Sequence, residues 1–161
     1  MTAREYNDSV DQFADGIYRF AMKHLRNEMS AKDIVQETFT KVWIKHEEID
    51  VTKAKSYLFT TAYHAIVDWV KKDGRNKDIE TIGVVPVSEY STSFDLQEVL
   101  TEALNRLPEI QKSVVLLRDY ERYNYAEIAE ITGLNESQVK VYIFRARQTL
   151  KEYIKHIDLV V

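Results

Sequence analysis

The chain has 161 residues, 45% of them apolar and 30% charged, with four glycines, two prolines and no cysteine. That composition suits a helical protein of one domain or two small ones, and it excludes disulfides, thiol nucleophiles and thiolate metal sites. The net charge of −4 is unevenly spread: residues 137–156 carry five cations and one anion, or +4, so the other 141 residues sum to −8.

Taken in order, MTAREYNDSVDQF lacks the apolar core of a signal peptide, and no run approaches the ~20 apolar residues of a membrane span, so a cytoplasmic protein is expected. Val10, Phe13, Ile17, Phe20, Ala21 and Leu25 recur at helical spacing and predict a first helix from about Ser9 to Arg26. Ser30 and Asp33 resemble a capping box opening a second helix. Val35, Phe39, Val42 and Trp43 form its expected buried stripe, with Asp33, Gln36, Glu37 and Thr40 on the opposite side. After a polar loop, His46 to Lys55, Thr52 is the expected cap of a third helix. Leu58, Ala62, Ala65, Ile66 and Trp69 line its apolar face, and Lys71, Lys72, Arg75 and Lys77 cluster near its end.

Residues 74–93 lose the period, gain Gly, Pro and a Ser/Thr run, and read as a linker between a domain 1–73 and a domain 94–161. Asp95 and Glu98 mark another capping box before Leu96, Val99, Leu100, Ala103 and Leu104. Pro108 fits a first helical position, and Ile110, Val114, Leu117 and Tyr120 follow at helical spacing. The last stretch is the most informative. Asn124 with Glu127, and Asn135 with Gln138, are two capping boxes flanking Thr132-Gly133-Leu134, where glycine permits a left-handed turn. Ile128, Ala129 and Ile131 give the first of these helices its buried side; Val139, Ile143, Ala146 and Leu150 do so for the second. Two capped helices across a glycine turn predict a helix-turn-helix.

The second helix presents Ser137, Lys140, Val141, Phe144, Arg145 and Gln148 away from its stripe, with Arg147, Lys151 and Lys155 along the flank. Such a helix can enter the major groove with its N-terminal half at base edges and its cations on phosphates. A small basic patch on an acidic body neutralises few phosphates, so the chain should read DNA only when something larger holds it there. The plainer alternative is a structural hairpin with solvated charges.

Over roughly Tyr6 to Ile154 the chain resembles the small sigma-70 group of RNA polymerase sigma factors called extracytoplasmic-function sigma factors. DIVQETFTKVW (Asp33–Trp43) resembles that family's core-binding helix, SYLFTTAYHAIVDWVKK (Ser56–Lys72) its −10 helix, and Leu104–Leu150 its −35 domain. The resemblance implies an all-α protein of two helical domains, sigma region 2 (1–73) and region 4 (94–161), that binds core RNA polymerase and directs promoter-specific initiation as an alternative sigma factor. It implies that Asp33, Gln36, Glu37 and Thr40 meet the polymerase's largest subunit. The His46–Lys55 loop would hold a flipped base, and His64, Asp68, Trp69, Lys71 and Lys72 would face −10 DNA. Ser137, Gln138, Lys140, Val141, Phe144, Arg145 and Arg147 would face −35 DNA. An anti-sigma factor is an implied partner; no cofactor is. The family usually has Asn at His64, Arg at Trp69 and Ser-Arg at Val141-Tyr142, changes that remove phosphate or base contacts.

Other classes fit less well. An independent regulator would need a sensor pocket or phosphoacceptor in its first half, and no such constellation stands out. An enzyme would need more than His24, His46, His64 and His156, which are scattered without metal-ligand spacing or a nucleophile–base pattern. A pure interaction module lacking DNA binding would fail to initiate transcription with core polymerase.

Overall fold

The computed structural model describes residues 1–80 and 96–160, with side chains described for 1–73 and 96–157. Among these residues every regular element is helical. Helix α1 (Ala3–Leu25) starts six residues before the expected Ser9, because Thr2 and Glu5 form a reciprocal capping box. It ends at Arg26, whose left-handed backbone (φ 53°) turns the chain directly into Asn27. Asn27, extended and a favoured cap, accepts a hydrogen bond from the Ser30 amide at 3.0 Å and opens α2 (Glu28–Lys45). The expected cap at Ser30 is therefore corrected: Ser30 already lies within the helix.

Helix α2 buries Ala31, Ile34, Thr38, Phe39 and Val42. Val35 is partly buried, but Trp43, expected in the stripe, is 45% exposed. It stacks instead on His46, with rings 4.1 Å apart and 6° from parallel, and leans on Tyr6 at 4.9 Å. The polar loop contains two short 3₁₀ turns, His46–Glu48 and Val51–Lys53. Asp50, rather than Thr52, is the capping residue there; it accepts from both the amide and the hydroxyl of Thr52. Helix α3 (Ala54–Glu80) buries Leu58, Phe59, Ala62, Ala65 and Ile66, with Trp69 partly buried. It continues past Gly74, where the sequence changes character, to Glu80. The rest of the expected linker, and the expected cap at Asp95, lie outside the described residues.

The second group begins with α4 (Leu96–Asn105), which buries Ala103 and Leu104. Pro108 caps α5 (Glu109–Val115), one residue before the first helical position expected for it. The helix runs on as a π-helical turn, Leu116–Tyr120, and Arg122 (φ 62°) then reverses the chain. Helices α6 (Tyr125–Thr132) and α7 (Glu136–Val160) complete the fold.

The two groups pack against each other along a seam. Helices α1 and α3 receive α5, the π turn and α6, so that Ile17, Phe20, Leu58 and Phe59 share one buried cluster with Leu116, Leu117 and Tyr123. Phe59 meets the Tyr123 ring edge-on at 4.9 Å. Arg19 donates two hydrogen bonds of 2.8 Å to Glu121, whose carboxylate is almost buried. Gly16 makes room for that carboxylate: a β-carbon there would lie 3.1 Å from Glu121 Oε2 and 3.4 Å from Phe59 Cζ. Glycine within a helix costs about 1 kcal/mol relative to alanine, which its close approach offsets here.

At the other end of the seam His24 is buried between Glu109 and Ser113, at 3.1 Å from each. A carboxylate only accepts, so Nδ1–H donates to Glu109 and the bare Nε2 accepts the Ser113 hydroxyl. Lys112, on the same helix, donates to the His24 carbonyl at 3.2 Å and to Asn105 Oδ1 at 3.0 Å.

Burial, partly opposed by the Glu109 hydrogen bond, pushes the His24 imidazole below its ordinary 6.5. Burial also pushes Lys112 down to about 8. The packed state thus takes up fewer protons at both groups than an opened one. Its stability is complete above each ordinary pKa and falls as pH drops below it, for His24 below 6.5. The slope approaches about 1.4 kcal/mol per pH unit for one group. We expect thermal stability to decline from pH 6.5 to 5.5 and His24→Gln to flatten that decline; an unchanged slope in the variant would place the titrating group elsewhere.

Candidate nucleic-acid interface

Helices α6 and α7 are held by the two capping boxes anticipated from sequence. Glu127 N–H donates to Asn124 Oδ1 at 2.8 Å and Asn124 N–H to Glu127 at 3.1 Å. Gln138 and Asn135 repeat the arrangement at 2.8 and 3.0 Å. Gly133 takes the left-handed conformation at φ 77°, its amide bonded to the Ala129 carbonyl. Ile128 and Ile131 of α6 and Val139, Ile143 and Ala146 of α7 are buried. Leu150, the last residue of the stripe, is only partly covered.

This packing leaves the opposite side of α7 open. Ser137, Gln138, Lys140, Val141, Phe144, Arg145, Arg147 and Gln148 are all exposed, Phe144 by 67% and Val141 by 45%. Such exposure of large apolar side chains at the centre of a helix face has no benefit in the folded chain alone. An open depression of about 240 Å³ lies at the first turns of α7, lined by Asn135, Ser137, Gln138, Val141, Tyr142 and Arg145. The Gln138 side-chain oxygen is held by the cap, so its amino group is what remains to face outward.

Three neighbours escaped the sequence pattern. Tyr125, the first residue of α6, lies beneath two cations: Arg118 is 4.8 Å and Lys140 5.5 Å from its ring centre. The ring attracts both and narrows where the Lys140 ammonium can go. Asp119, in the π turn, receives two hydrogen bonds from Arg147, one of them 3.2 Å. Arg147 is therefore braced to its own scaffold, whereas Lys140 and Arg145 carry no carboxylate partner among the described ion pairs. A cation facing an aromatic ring, or a Tyr at a helix start, has too many ordinary roles for spacing alone to single these out.

The remaining candidates fall on two other surfaces. Asp33, Gln36, Glu37 and Thr40 form an exposed face of α2. Glu37 pairs with Lys41 at 2.8 Å, and Thr40 bonds back to the Gln36 carbonyl at 2.8 Å. His64, Asp68, Lys71 and Lys72 are exposed on α3, while Trp69 packs partly against the core. None of the described hydrogen bonds, ion pairs or ring contacts joins either set to the α7 face. No described helix is long and apolar enough to cross a membrane.

Residues 10–76 match the family described as Sigma-70 region 2, and residues 97–150 match Sigma-70, region 4. The chain is 31% identical over 150 residues to the ECF RNA polymerase sigma factor SigM of Bacillus subtilis (strain 168), covering 90% of this chain and 92% of that one. It is 31% identical over 145 residues to RNA polymerase sigma factor SigV of the same organism, with 88% and 86% covered. In structure it is similar to the sigma factor RpoE from Bartonella quintana, solved in complex with the anti-sigma factor NepR, with a TM-score of 0.79 and 25% identity. That match covers 95% of this chain and 98% of the other.

The Arg147–Asp119 brace gives a sharp expectation. Both side chains are substantially exposed, so breaking the pair costs at most about 1 kcal/mol. Asp119→Asn removes an anion beside the α7 cations. It should strengthen binding to duplex DNA equally for all sequences and steepen the salt dependence by up to about one ion. Fluorescence anisotropy over a salt series reads this; a gain confined to one sequence would show that Asp119 acts on base readout.

Proposed function

The chain belongs to the ECF RNA polymerase sigma factors, and from that premise we propose how its surfaces divide the work. It binds core RNA polymerase and directs initiation at promoters by reading −10 and −35 elements; it is a regulatory factor and performs no catalysis itself. Residues 1–73 act as the core-binding and −10 domain and 94–161 as the −35 domain; of the linker expected over 74–93, residues 74–80 continue α3. The protein works in the cytoplasm, where the polymerase is, and an anti-sigma factor is a further partner, as for the relative solved with NepR.

The observation that carries this reading is the exposed face of α7, with Val141 and Phe144 set among Ser137, Lys140 and Arg145. Cations there meet phosphate or guanine, and an apolar side chain meets a thymine methyl, the mixture that major-groove readout uses. Gln138 faces the same groove, and Arg147 meets backbone at its edge. On α3, His64, Asp68, Trp69, Lys71 and Lys72 face the −10 element, with cations on phosphate and aromatic surface available to unstacked bases. On α2, Asp33, Gln36, Glu37 and Thr40 face core polymerase, and Glu37 exchanges its Lys41 partner for one on the polymerase.

The exposed Glu37–Lys41 pair contributes about 0.3–0.5 kcal/mol to the helix at most, so Glu37→Ala should leave folding nearly unchanged. The same substitution should weaken core binding by about 2 kcal/mol if this is a central contact. Titration of labelled chain with core polymerase, alongside a melting curve, separates the two. Normal core binding with earlier melting would make this face structural.

Replacing Lys140 or Arg145 by Ala should cost about 1–3 kcal/mol on the preferred −35 sequence and less on others. Selection of −35 variants with the polymerase complex tests it; an unchanged preferred hexamer in both variants would contradict this docking of α7.

A further inference from the structure

The two side-chain amides that cap α7 are fixed end for end. Gln138 Oε1 accepts the Asn135 backbone amide at 3.0 Å, and Asn135 Oδ1 accepts that of Gln138 at 2.8 Å. Flipping either side chain would set donor against donor, so each keeps its amino group outside the cap, able only to donate. Both line the open depression of about 240 Å³ at the first turns of α7, with Ser137, Val141, Tyr142 and Arg145. Its side chains therefore offer donors at Asn135, Gln138 and Arg145, and only the hydroxyls of Ser137 and Tyr142 can also accept. Val141, 45% exposed, supplies apolar surface, which Phe144 continues three positions on.

These features select among base edges. In the major groove thymine presents an acceptor, O4, beside its C5-methyl, and guanine presents two acceptors. Adenine and cytosine each present an amino donor there. A surface that donates at Gln138 and is apolar at Val141 matches thymine, whereas the amino group of cytosine would meet a second donor. Gln138, Val141 and Arg145 recur at spacings of three and four, which puts them on one face of the helix. Val141 and Arg145 are about 6 Å apart along the helix axis, so they address positions within about two base pairs of each other. Arg145 has no carboxylate partner among the described ion pairs, and the paired acceptors of guanine suit its guanidinium.

We propose that this depression is a subsite for the major-groove edge of one thymine, its methyl on Val141 and its O4 toward the Gln138 amino group, with a guanine close by at Arg145. The proposal rests on the reading of α7 as the −35 helix, and it names a base step that reading leaves open. Val141 stands where the family usually has Ser, so the apolar contact belongs to this chain. Two features of the base are read separately: the methyl by apolar contact, and the group on C4 by hydrogen bonding. A cytosine methylated at C5 carries the first without the second. Methylation of a cytosine at this position therefore strengthens binding, though less than thymine does, and the promoters this chain reads respond to the methylation state of the DNA.

The test uses the whole chain bound to core polymerase and a duplex carrying the −35 sequence that this complex selects. At each thymine of that element in turn, uracil, cytosine or 5-methylcytosine is substituted, the partner base is matched, and binding is read by competition. Each methyl comparison then keeps its partner base. At one position uracil should bind about fourfold more weakly than thymine, the effect of burying one methyl group, and cytosine should trail 5-methylcytosine similarly. Val141→Ser should make thymine and uracil equal there, and the two cytosines equal. Gln138→Glu keeps an oxygen for the Asn135 amide, since Glu serves equally in a capping box, and makes the outward group an acceptor. Its added anion weakens binding to every duplex, so the ratio is what is read. Preference for 5-methylcytosine over thymine should rise at least about fivefold relative to the parent chain. Both positions are exposed, and melting curves matching the parent's would show the fold intact. No methyl-dependent thymine in the parent complex, a methyl effect that survives Val141→Ser, or an unchanged preference in Gln138→Glu would overturn the proposal. A complex that selects no −35 sequence would overturn the sigma-factor reading and this proposal with it, whereas a selected element without methyl dependence overturns this proposal alone.

Discussion

The packing of α1 and α3 against α5, the π turn and α6 governs the arrangement of the whole chain. Each domain has an ordinary helical core, Ile34, Val42 and Ile66 in the first and Val114, Ile143 and Ala146 in the second. Along the seam those cores become one, and burial of Phe20, Phe59, Leu116 and Tyr123 supplies the non-directional attraction. The direction comes from polar groups. Arg19 with Glu121, and His24 with Glu109 and Ser113, have few alternative partners once water is excluded, so they fix one register among the many an apolar face would accept.

Electrostatics divide the labour differently. The charge of +4 over residues 137–156 is small against −8 elsewhere, and Asp119 takes up part of it by holding Arg147. A protein so charged gains little from duplex DNA by itself, since affinity follows the number of phosphates neutralised. Sequence reading then depends on a few well-placed groups, Lys140 steadied over Tyr125 and Val141 and Phe144 left uncovered. Dependence on a larger partner is a consequence of that sparse contact set, and it accords with the family to which the chain belongs.

The helix-turn-helix was legible from sequence down to its hydrogen bonds, because capping boxes and a left-handed glycine are local and leave local signatures. Where local rules competed, they misled: Asn27, just past a left-handed Arg26, captured the start of α2 ahead of Ser30, and Trp43 found aromatic partners outside the core. The seam was invisible for a physical reason. Its decisive pairs, His24–Glu109 and Arg19–Glu121, are 85 and 102 residues apart, so no periodicity links them. Gly16, Phe20 and His24, each four residues on, do mark one face of α1. A glycine and a histidine on an apolar helix face are a trace of close packing, but they do not name what packs there.

The central claim is that this chain converts a non-specific polymerase into one that starts at defined promoters. Core polymerase should be incubated with a fragmented genomic library, with and without the purified chain, and transcript 5′ ends mapped. A discrete set of new start sites that share sequence at both −10 and −35 is expected. Start sites identical to those of core polymerase alone, beside tight sequence-specific DNA binding by the free chain, would contradict it and identify an independent DNA-binding regulator.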